Sequence, residues 1–494
     1  MRDELTLSDI ENTLYHLNYR WKLQALAMWN GQKTPFRAYE IYDGFSKFIS
    51  RKTLSRIDTL DGHVNKKRLR HALMDHYVQR ALLPHETEMR SWMKGAAAHV
   101  RGEKIYLRDV IPWCQKRSTY HTRQILQKET GPLAKFLKPF ALNYWDVMLR
   151  TLEHELGFES YLAYLTDKKD VDYAGCYSAL KEMLAETDDL YFSAMEAWAR
   201  ERFGRGLEEL TRFDAIYLLS LGHLDHFLPQ RSLEELIVFF DVWKINLKKT
   251  PGLHLILGRE DEKSNQAICF VLEVPEEIYV VMKPEGGWID VETLWHELGH
   301  GLSAVFTSPA LSLVDREMAT SFSLSESFAF LNQNVTLSVP FLTDFLDMSP
   351  SVAEEINYYK VLKDLSLFRR YAAKFLTEYE MFSSGDLGDG RVYGENMRRY
   401  TGFYYQPESH LLDLVPEFYS LDYLMGWITE SILADHLKKT LGHDWMLRRE
   451  AGTMLKQWWN QGNQYEIPEF LDRNGFKRLH MEGLMRLWRE RLAA

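Results

Sequence analysis

The stretch VETLWHELGHGLSAVF, residues 291–306, carries a His-Glu-x-x-His pattern within the apolar periodicity of an amphipathic helix. His296 and His300 are four residues apart, so their imidazoles project from one helix face and can bind the same metal ion. Glu297 lies one residue round the helix, where its carboxylate can accept a proton from a metal-bound water. Asp290 is a plausible N-cap. The stretch therefore predicts a helix with a metal site and its own general base.

A catalytic zinc ion usually has three protein ligands and one open position, so a third ligand is needed. Downstream, residues 315–340 contain two candidate carboxylates, Glu317 and Glu326. The segment SFSLSESFAFLNQNV is typical of a helix, from which an inward-pointing Glu326 would complete a His₂Glu site, a ligand set that suits zinc. Alternatively, Glu326 closes a capping box with Ser323 and has no other role. From the residues alone both carboxylates stay open, with Glu326 slightly favoured.

Two other stretches contain histidines at suggestive spacing. EHELGFES (153–160) repeats His-Glu-Leu-Gly but has Phe158 in place of the second histidine, so His154 is predicted to be a polar residue on an outer helix face. His223 and His226 have i,i+3 spacing, but neither a base nor a third ligand lies near them in sequence. Only the 296–300 pair has the full set of groups.

The rest of the chain is predicted to be mainly helical, with one β-hairpin. Amphipathic patterns cover 8–29 and 140–158, and neither a fixed repeat nor a Gly/Ser- or Pro-rich linker divides the chain. The runs AICFVLEV (267–274) and IYVVMK (278–283) are rich in β-branched and aromatic residues and are separated by Pro-Glu-Glu. The hairpin is either a small structural sheet or an exposed strand that pairs with an extended peptide.

Composition excludes several classes of protein. The formal net charge of −10 gives no reason to expect a nucleic-acid partner, and the basic run at 66–71 is typical of a solvated helix face. The three cysteines (Cys114, Cys176 and Cys269) are far apart and predict neither a disulfide framework nor a thiolate zinc site. The pattern of the first residues predicts no secretory signal, and no apolar run approaches the roughly 18 residues of a membrane span. We expect a cytoplasmic protein without a membrane partner.

With these motifs the chain resembles the gluzincin zinc metallopeptidases, the group that includes thimet oligopeptidase, oligoendopeptidase F and Taq carboxypeptidase. In those families the third ligand lies in helices that read EAPSQMLEN or HESQSRLWEN. The matching stretch here is SESFAFLNQN (325–334), which puts Glu326 at the ligand position. Ser325 stands where the Taq-type pattern has a histidine. The resemblance covers roughly residues 250–440, while the N-terminal half fits only by length and helicity.

A second match lies near the C-terminus. Oligoendopeptidases carry FYVYKYATG and Taq-type carboxypeptidases GYFPSYTLG, and this chain has FYSLDYLMG at 418–426. The resemblance implies that Tyr419 and Tyr423 face the cleft and donate hydrogen bonds to the oxyanion of the tetrahedral intermediate. Oligoendopeptidases often have a histidine just before this motif, where Pro416 and Glu417 stand here. His410 is the nearest substitute and a further catalytic candidate.

The resemblance implies a mostly α, two-lobed helical metallopeptidase with a deep cleft and a small antiparallel β-sheet beside the zinc helix. Residues 1–240 would form a mainly helical region that is part of the cleft, and residues 241–494 the catalytic region. One zinc ion would support hydrolysis of short peptides, by an oligopeptidase or a carboxypeptidase action. A carboxypeptidase needs a cation for the free carboxylate, and the candidates are Arg369, Arg370, Arg398 and Arg399.

Two alternatives stay open at this stage. A catalytically inactive peptide-binding or scaffold protein would retain the metal site, although such proteins commonly lose the base or a ligand, and Glu297, His296 and His300 are intact. Hydrolysis of a non-peptide amide uses the same zinc chemistry. The sequence makes no prediction of the oligomeric state.

Overall fold

The structure is a computed structural model that describes residues 5–30, 38–62, 64–258 and 267–493. The α-helices of the N-terminal half are Leu7–Trp29 (α1), Ala38–Ile41 (α2), Arg51–Ile57 (α3), Lys66–Gly95 (α4), Val110–Lys116 (α5), Tyr120–Arg150 (α6), Tyr161–Lys169 (α7), Tyr173–Glu186 (α8), Asp188–Phe203 (α9), Arg212–Leu219 (α10) and Leu233–Leu236 (α11). Those of the C-terminal half are Trp288–Val305 (α12), Leu313–Glu317 (α13), Ser323–Val335 (α14), Pro350–Ser384 (α15), Arg391–Thr401 (α16), His410–Asp413 (α17), Tyr419–Leu441 (α18), Arg449–Trp459 (α19), Ile467–Arg473 (α20) and Glu482–Leu492 (α21). The strands are Ala97–Val100 (β1), Glu103–Tyr106 (β2), Leu253–Leu257 (β3), Ile268–Glu273 (β4) and Glu277–Met282 (β5). The prediction of a mostly α fold with small sheets is therefore confirmed.

The predicted hairpin is present and lies beside α12. Strands β4 and β5 pair antiparallel, with Ile268 opposite Val281. Strand β3 adds to the other side of β5 in parallel, so the sheet has the order β3-β5-β4 and is mixed rather than purely antiparallel. The helix approaches the sheet closely at Gly301, where an added Cβ would lie 3.1 Å from Val280 and 3.3 Å from Leu253.

Helices α12, α14 and α18 form a tightly packed group at the centre of the C-terminal half. A Cβ at Gly299 would lie 2.5 Å from the Cα of Ala329, and one at Gly426 would lie 2.6 Å from the Cβ of Glu326. Because each glycine lacks that atom, α14 can pack directly against the backbones of α12 and α18. These contacts fix the relative positions of the elements that carry the histidines, Glu326 and the tyrosine pair.

The N-terminal helices extend the same core and form one wall of a cleft. A single cluster of buried apolar side chains includes Leu7 of α1, Leu73 of α4 and Leu298 of α12. A cavity of about 580 Å³ lies between residues of α1 and α4 on one side and residues of β4, α12 and α14 on the other. The division of the chain near residue 240 stays a prediction. Among the described helices, none has the length and apolar character needed to cross a membrane.

Candidate metal centre

The helix that carries the histidines starts earlier than the sequence predicts. It begins at Trp288, with Gly287 as the N-cap at φ 90°, so the expectation that Asp290 is the N-cap is wrong. Asp290 instead lies in the first turn, where its carboxylate accepts hydrogen bonds from the backbone N–H groups of Glu285 (2.7 Å) and Gly286. Burial raises the pKa of Asp290 to about 6. The helix nevertheless presents His296 and His300 on one face, as the spacing predicts.

The structure brings His296, His300 and Glu326 together. One ligand atom from each lies within 4.8 Å of the others, and no other such group of three or more His, Cys, Asp or Glu side chains occurs in the described part of the chain. Glu326 Oε2 lies 3.4 Å from His296 Nε2, and Oε1 lies 3.7 Å from His300 Nε2. Two atoms bound at about 2.0–2.2 Å to one tetrahedral zinc ion are about 3.3–3.6 Å apart. The spacing of these atoms therefore fits a shared ion.

Hydrogen bonds orient both imidazoles toward the glutamate. The Nδ1 atom of His296 lies 2.9 Å from Gln333 Oε1, and that of His300 lies 2.8 Å from Ser325 Oγ. Since the amide oxygen of Gln333 is an acceptor, Nδ1 of His296 carries the proton and the lone pair is left on Nε2. Partners of this kind fix the tautomer and ring orientation of metal-binding histidines.

The buried negative charge at the centre also fits a bound cation. Glu326 is only 1% exposed, and its Oε2 is buried without a hydrogen-bond partner among the described residues. Burial would raise the pKa of Glu326, but His300 and His296 hold the pKa below its usual value, so the carboxylate is charged. Burial lowers the pKa of His300. Burial also acts to lower the pKa of His296, but Glu326, Glu297 and Gln333 together outweigh it and the pKa is raised. The buried carboxylate oxygen receives no hydrogen bond from any described residue and faces two imidazole nitrogens. A carboxylate oxygen and two imidazole nitrogens are ligands that suit zinc.

Glu297 is half-buried beside the two histidines. The negative charge of its carboxylate acts to raise the pKa of His296, His300 and Tyr423. Glu297 therefore lies close to the candidate metal ligands and to Tyr423. It is not part of the metal-binding group. A carboxylate next to a metal ion but not bound to it is placed to accept a proton from a reacting water molecule.

The two tyrosines have different surroundings. The hydroxyl of Tyr419 donates to Glu326 Oε1 at 2.5 Å, so this side chain contacts a candidate ligand directly. The ring of Tyr423 lies 6.4 Å from the ring of His296. On Tyr423 stacks the ring of Tyr371, at a centroid distance of 4.8 Å. Burial, followed by the charge of Glu326, raises the pKa of Tyr423 well above its usual value, so its hydroxyl keeps its proton.

Other candidates from the sequence lie in different contacts. His410 is buried. Its Nδ1 lies 2.8 Å from the carbonyl oxygen of Pro407 and its Nε2 lies 3.0 Å from that of Leu387, so both ring nitrogens face backbone carbonyl groups. Glu317 accepts a hydrogen bond from the backbone N–H of Val274 at 2.6 Å, at the end of β4. Neither residue is in the metal-binding group. The structure thus gives no support to a catalytic role for His410, and Glu317 stabilises the sheet.

The other histidines at suggestive spacing in the sequence also lie away from the metal centre. His154 is exposed, as expected, and Phe158 packs on Tyr164 at a ring distance of 5.2 Å. His223 packs against Trp198, and His226 Nδ1 lies 2.8 Å from the carbonyl oxygen of His223.

The four arginines proposed to bind a substrate carboxylate already have partners. Arg369 binds Asp188, Thr187 and backbone carbonyls, and Arg399 also pairs with Asp188 at 3.0 Å. Arg370 donates to Asp413 at 2.8 and 3.0 Å. Arg398 donates to the carbonyl oxygens of Gly402 and Glu208. None of the four lines the cavity beside the centre.

Sequence reasoning missed three residues of the centre. Gln333 lies seven residues after Glu326, which is two helical turns and therefore the same face of α14, so the spacing was a usable signal. Ser325 was noted only as a departure from a family pattern. Tyr371 has no local signal, because its contact with Tyr423 depends on the packing of α15 against α18.

Comparison with solved structures shows the fold. The chain is similar to Trypanosoma cruzi metallocarboxypeptidase 1, with a TM-score of 0.61 at 14% sequence identity, and the match covers 99% of this chain and 99% of that chain. No protein-family model and no curated protein sequence matches. The fold is therefore that of a metallopeptidase structure, while resemblance to the oligoendopeptidase F or Taq carboxypeptidase family in particular stays a prediction.

Proposed function

We propose that this protein is a zinc-dependent peptidase that hydrolyses peptide bonds in short peptides. The observation that carries the proposal is the convergence of His296, His300 and the buried Glu326 carboxylate on one point, beside a helix that also carries Glu297. Similarity of fold to a metallocarboxypeptidase supports the same class of chemistry.

His296 Nε2, His300 Nε2 and the Glu326 carboxylate would hold the ion. When bound, zinc polarises a carbonyl oxygen and lowers the pKa of a water molecule to about 7. Gln333 and Ser325 hold the two imidazoles so that both Nε2 atoms face Glu326, where the ion would be bound. The hydroxyl of Tyr419 donates a hydrogen bond of 2.5 Å to Glu326 Oε1 and so fixes the position of the carboxylate.

Glu297 acts as the general base. Its carboxylate takes a proton from the attacking water and gives it to the departing amine, as a positioned carboxylate does in general acid–base catalysis. Tyr423, which keeps its proton, donates a hydrogen bond to the oxygen that becomes negatively charged. The cleft between the N-terminal helices and α12 restricts substrates to segments that enter a cavity of about 580 Å³, which favours short peptides over folded proteins.

The test is Glu297→Gln in the zinc-loaded protein, incubated with a mixed peptide pool and followed by mass spectrometry. The variant is expected to bind zinc with the wild-type stoichiometry and to lose hydrolysis by about 1,000-fold or more, since it keeps all three ligands and lacks the base. Glu482→Gln, on the exposed first turn of α21, is the matched control and is expected to cleave like wild type.

Undiminished turnover by Glu297→Gln would exclude Glu297 as the base. If wild type and variant both bind zinc and both leave the pool intact, the protein is not a peptidase, and a peptide-binding or scaffold protein and a hydrolase of non-peptide amides are the two alternatives left.

A further inference from the structure

The cavity beside the candidate metal centre contains one cation without a carboxylate partner. Three Lys or Arg side chains line the cavity: Lys22, Arg90 and Arg316. Lys22 Nζ lies 3.4 Å from Glu317 Oε2, and Arg90 donates twice to Glu86 Oε1 at 2.5 and 2.9 Å. Arg316 forms no ion pair with any residue in the described ranges.

The guanidinium of Arg316 is held in place yet keeps unused donors. Its Nη1 donates to the carbonyl oxygen of Val274 at 2.8 Å, next to the end of β4. Its Nε is buried and has no hydrogen-bond partner in the part of the chain that the structure describes. The backbone carbonyl of Arg316 accepts a hydrogen bond from Asn463 Nδ2 at 3.0 Å, which anchors the residue further. A fixed guanidinium with free N–H groups is suited to a carboxylate, which offers two acceptor oxygens.

The acidic side chains of the cavity do not compete for this position. Glu86 and Glu317 have the partners given above, and Asp75 accepts from Lys168 Nζ at 2.8 and 2.9 Å. Each carboxylate of the cavity lining thus has a cationic partner, Lys168 being shared between Asp75 and Glu417, and the guanidinium of Arg316 is the cation of the lining that is left without a carboxylate among the described residues.

The same cavity reaches the metal centre. His300 and Ser325 are part of its lining together with Arg316, so one ligand can contact both. We propose that Arg316 binds a carboxylate of the peptide substrate while the neighbouring peptide bond lies at the metal centre. This inference rests on the proposed function for the identity of the ligand. A terminal carboxylate held in this way favours removal of C-terminal residues over internal cleavage.

The test is equilibrium binding measured by calorimetry, with zinc-loaded Glu297→Gln as the parent so that no ligand is consumed. Three N-acetylated tripeptides serve as probes: one with a free C-terminal carboxylate, the same peptide as a C-terminal amide, and an amide with glutamate as its last residue. Adding Arg316→Gln is expected to weaken binding of the free acid about 10- to 100-fold and to leave the plain amide unchanged, because a charge-assisted hydrogen bond is lost.

Two further variants separate recognition from folding. Arg316→Lys keeps the charge without the planar fork and is expected to bind the free acid with intermediate affinity. Arg90→Gln removes a cation of the same cavity that already has a partner, and is expected to change binding by less than about twofold. Thermal midpoints close to that of the parent show that each variant is folded.

The probes also identify the source of the carboxylate. If Arg316→Gln weakens binding of the free acid alone, Arg316 binds the C-terminal carboxylate. If Arg316→Gln weakens binding of the glutamate amide alone, Arg316 binds the carboxylate of an acidic side chain. Binding of the free acid and of the glutamate amide that is the same with and without Arg316 overturns the proposal. Failure of the proposed function is seen separately, since wild type then leaves the peptide pool intact whatever the affinity for carboxylates.

Discussion

At the scale of single residues, Tyr419 and Tyr423 lie one turn apart on α18 but have different partners. Tyr419 donates to Glu326 Oε1 at 2.5 Å, whereas the hydroxyl of Tyr423 bonds to no residue that the structure describes. We expect Tyr419→Phe to weaken zinc binding about 10- to 100-fold, because it removes a partner of a ligand. Tyr423→Phe is expected to keep zinc and to lower kcat about 100-fold, because it removes a donor that acts on the transition state.

Zinc affinity is measured by competition with a chelating dye, and hydrolysis is measured on the same preparations. The exposed Tyr404, changed to Phe, is the control and is expected to match wild type in both. If the two variants lose zinc affinity equally, the distinction between a supporting and a reacting tyrosine is wrong.

The sequence predicts a site residue when its partners are close to it along the chain, and fails when they are remote. His296, Glu297 and His300 share one helix, so spacing alone places them, and the structure brings the two histidines to one face. Glu326 could not be separated from Glu317 by local pattern, because the choice depends on how α14 packs against α12. Tyr371 and Arg316 had no signal, since their importance lies in contacts with segments remote in sequence.

At the scale of elements, the close packing of α18 against α14 depends on Gly426. A Cβ there would lie 2.6 Å from the Cβ of Glu326 and 3.0 Å from the carbonyl oxygen of Ser323, so α14 would have to move. We expect Gly426→Ala to destabilise the protein by about 1–3 kcal/mol, as overpacking does, and to weaken zinc binding because the displaced atoms include Glu326. Thermal unfolding and zinc titration measure the two effects.

Gly95→Ala is the matched control, because apart from the neighbouring helix backbone no atom lies within 4 Å of the added Cβ near the end of α4. It is expected to leave zinc binding unchanged and to stabilise the helix by up to about 1 kcal/mol. Wild-type zinc affinity in Gly426→Ala would mean that α18 does not position Glu326.

Elements were predicted well where the pattern was local. The β4–β5 hairpin follows from two apolar runs with a three-residue break, and the structure confirms it. Strand β3 was missed because its partner is β5, in parallel, and the sequence between them does not show that pairing. The start of α12 was misplaced because Asp290 resembles an N-cap, whereas its carboxylate binds the two N–H groups of the preceding turn.

At the scale of the whole molecule, buried ion pairs connect the N-terminal half to the metal centre. Lys169 of α7 donates to Asp422 Oδ2 at 2.8 Å and to the carbonyl oxygen of Glu417 at 2.7 Å. Asp422 in turn accepts from the hydroxyls of Ser321 and Ser323 at the start of α14. The helix that carries Glu326 is therefore held by a cation from the other half of the chain. No local pattern predicts this, because the two segments are about 250 residues apart.

A buried acid on α18 makes the stability of the whole molecule depend on pH. Burial raises the pKa of Glu430 on α18 to about 7 from a usual 4.5. Between these values the folded protein keeps a proton that the unfolded chain releases, so the free energy of unfolding falls as pH rises from about 4.5 to about 7. Below about 4.5 both states are protonated, and the loss is complete above about 7.

Glu430→Gln removes this titration while keeping a group that can bond to Asn334, the hydrogen-bond partner of Glu430. Relative to wild type, the variant is expected to gain about 3 kcal/mol in the free energy of unfolding between pH 4 and pH 8, from the pKa difference of 2.5. Urea denaturation at a series of pH values measures the gain, and Glu490→Gln, which changes an exposed carboxyl, is expected to show none. A difference between Glu430→Gln and wild type that does not change with pH would mean that Glu430 ionises in the folded protein as readily as in water. The positive charge of Lys360, which acts to lower the pKa of Glu430, would then offset the whole cost of burying the carboxylate, and the raised pKa of Glu430 opposes this.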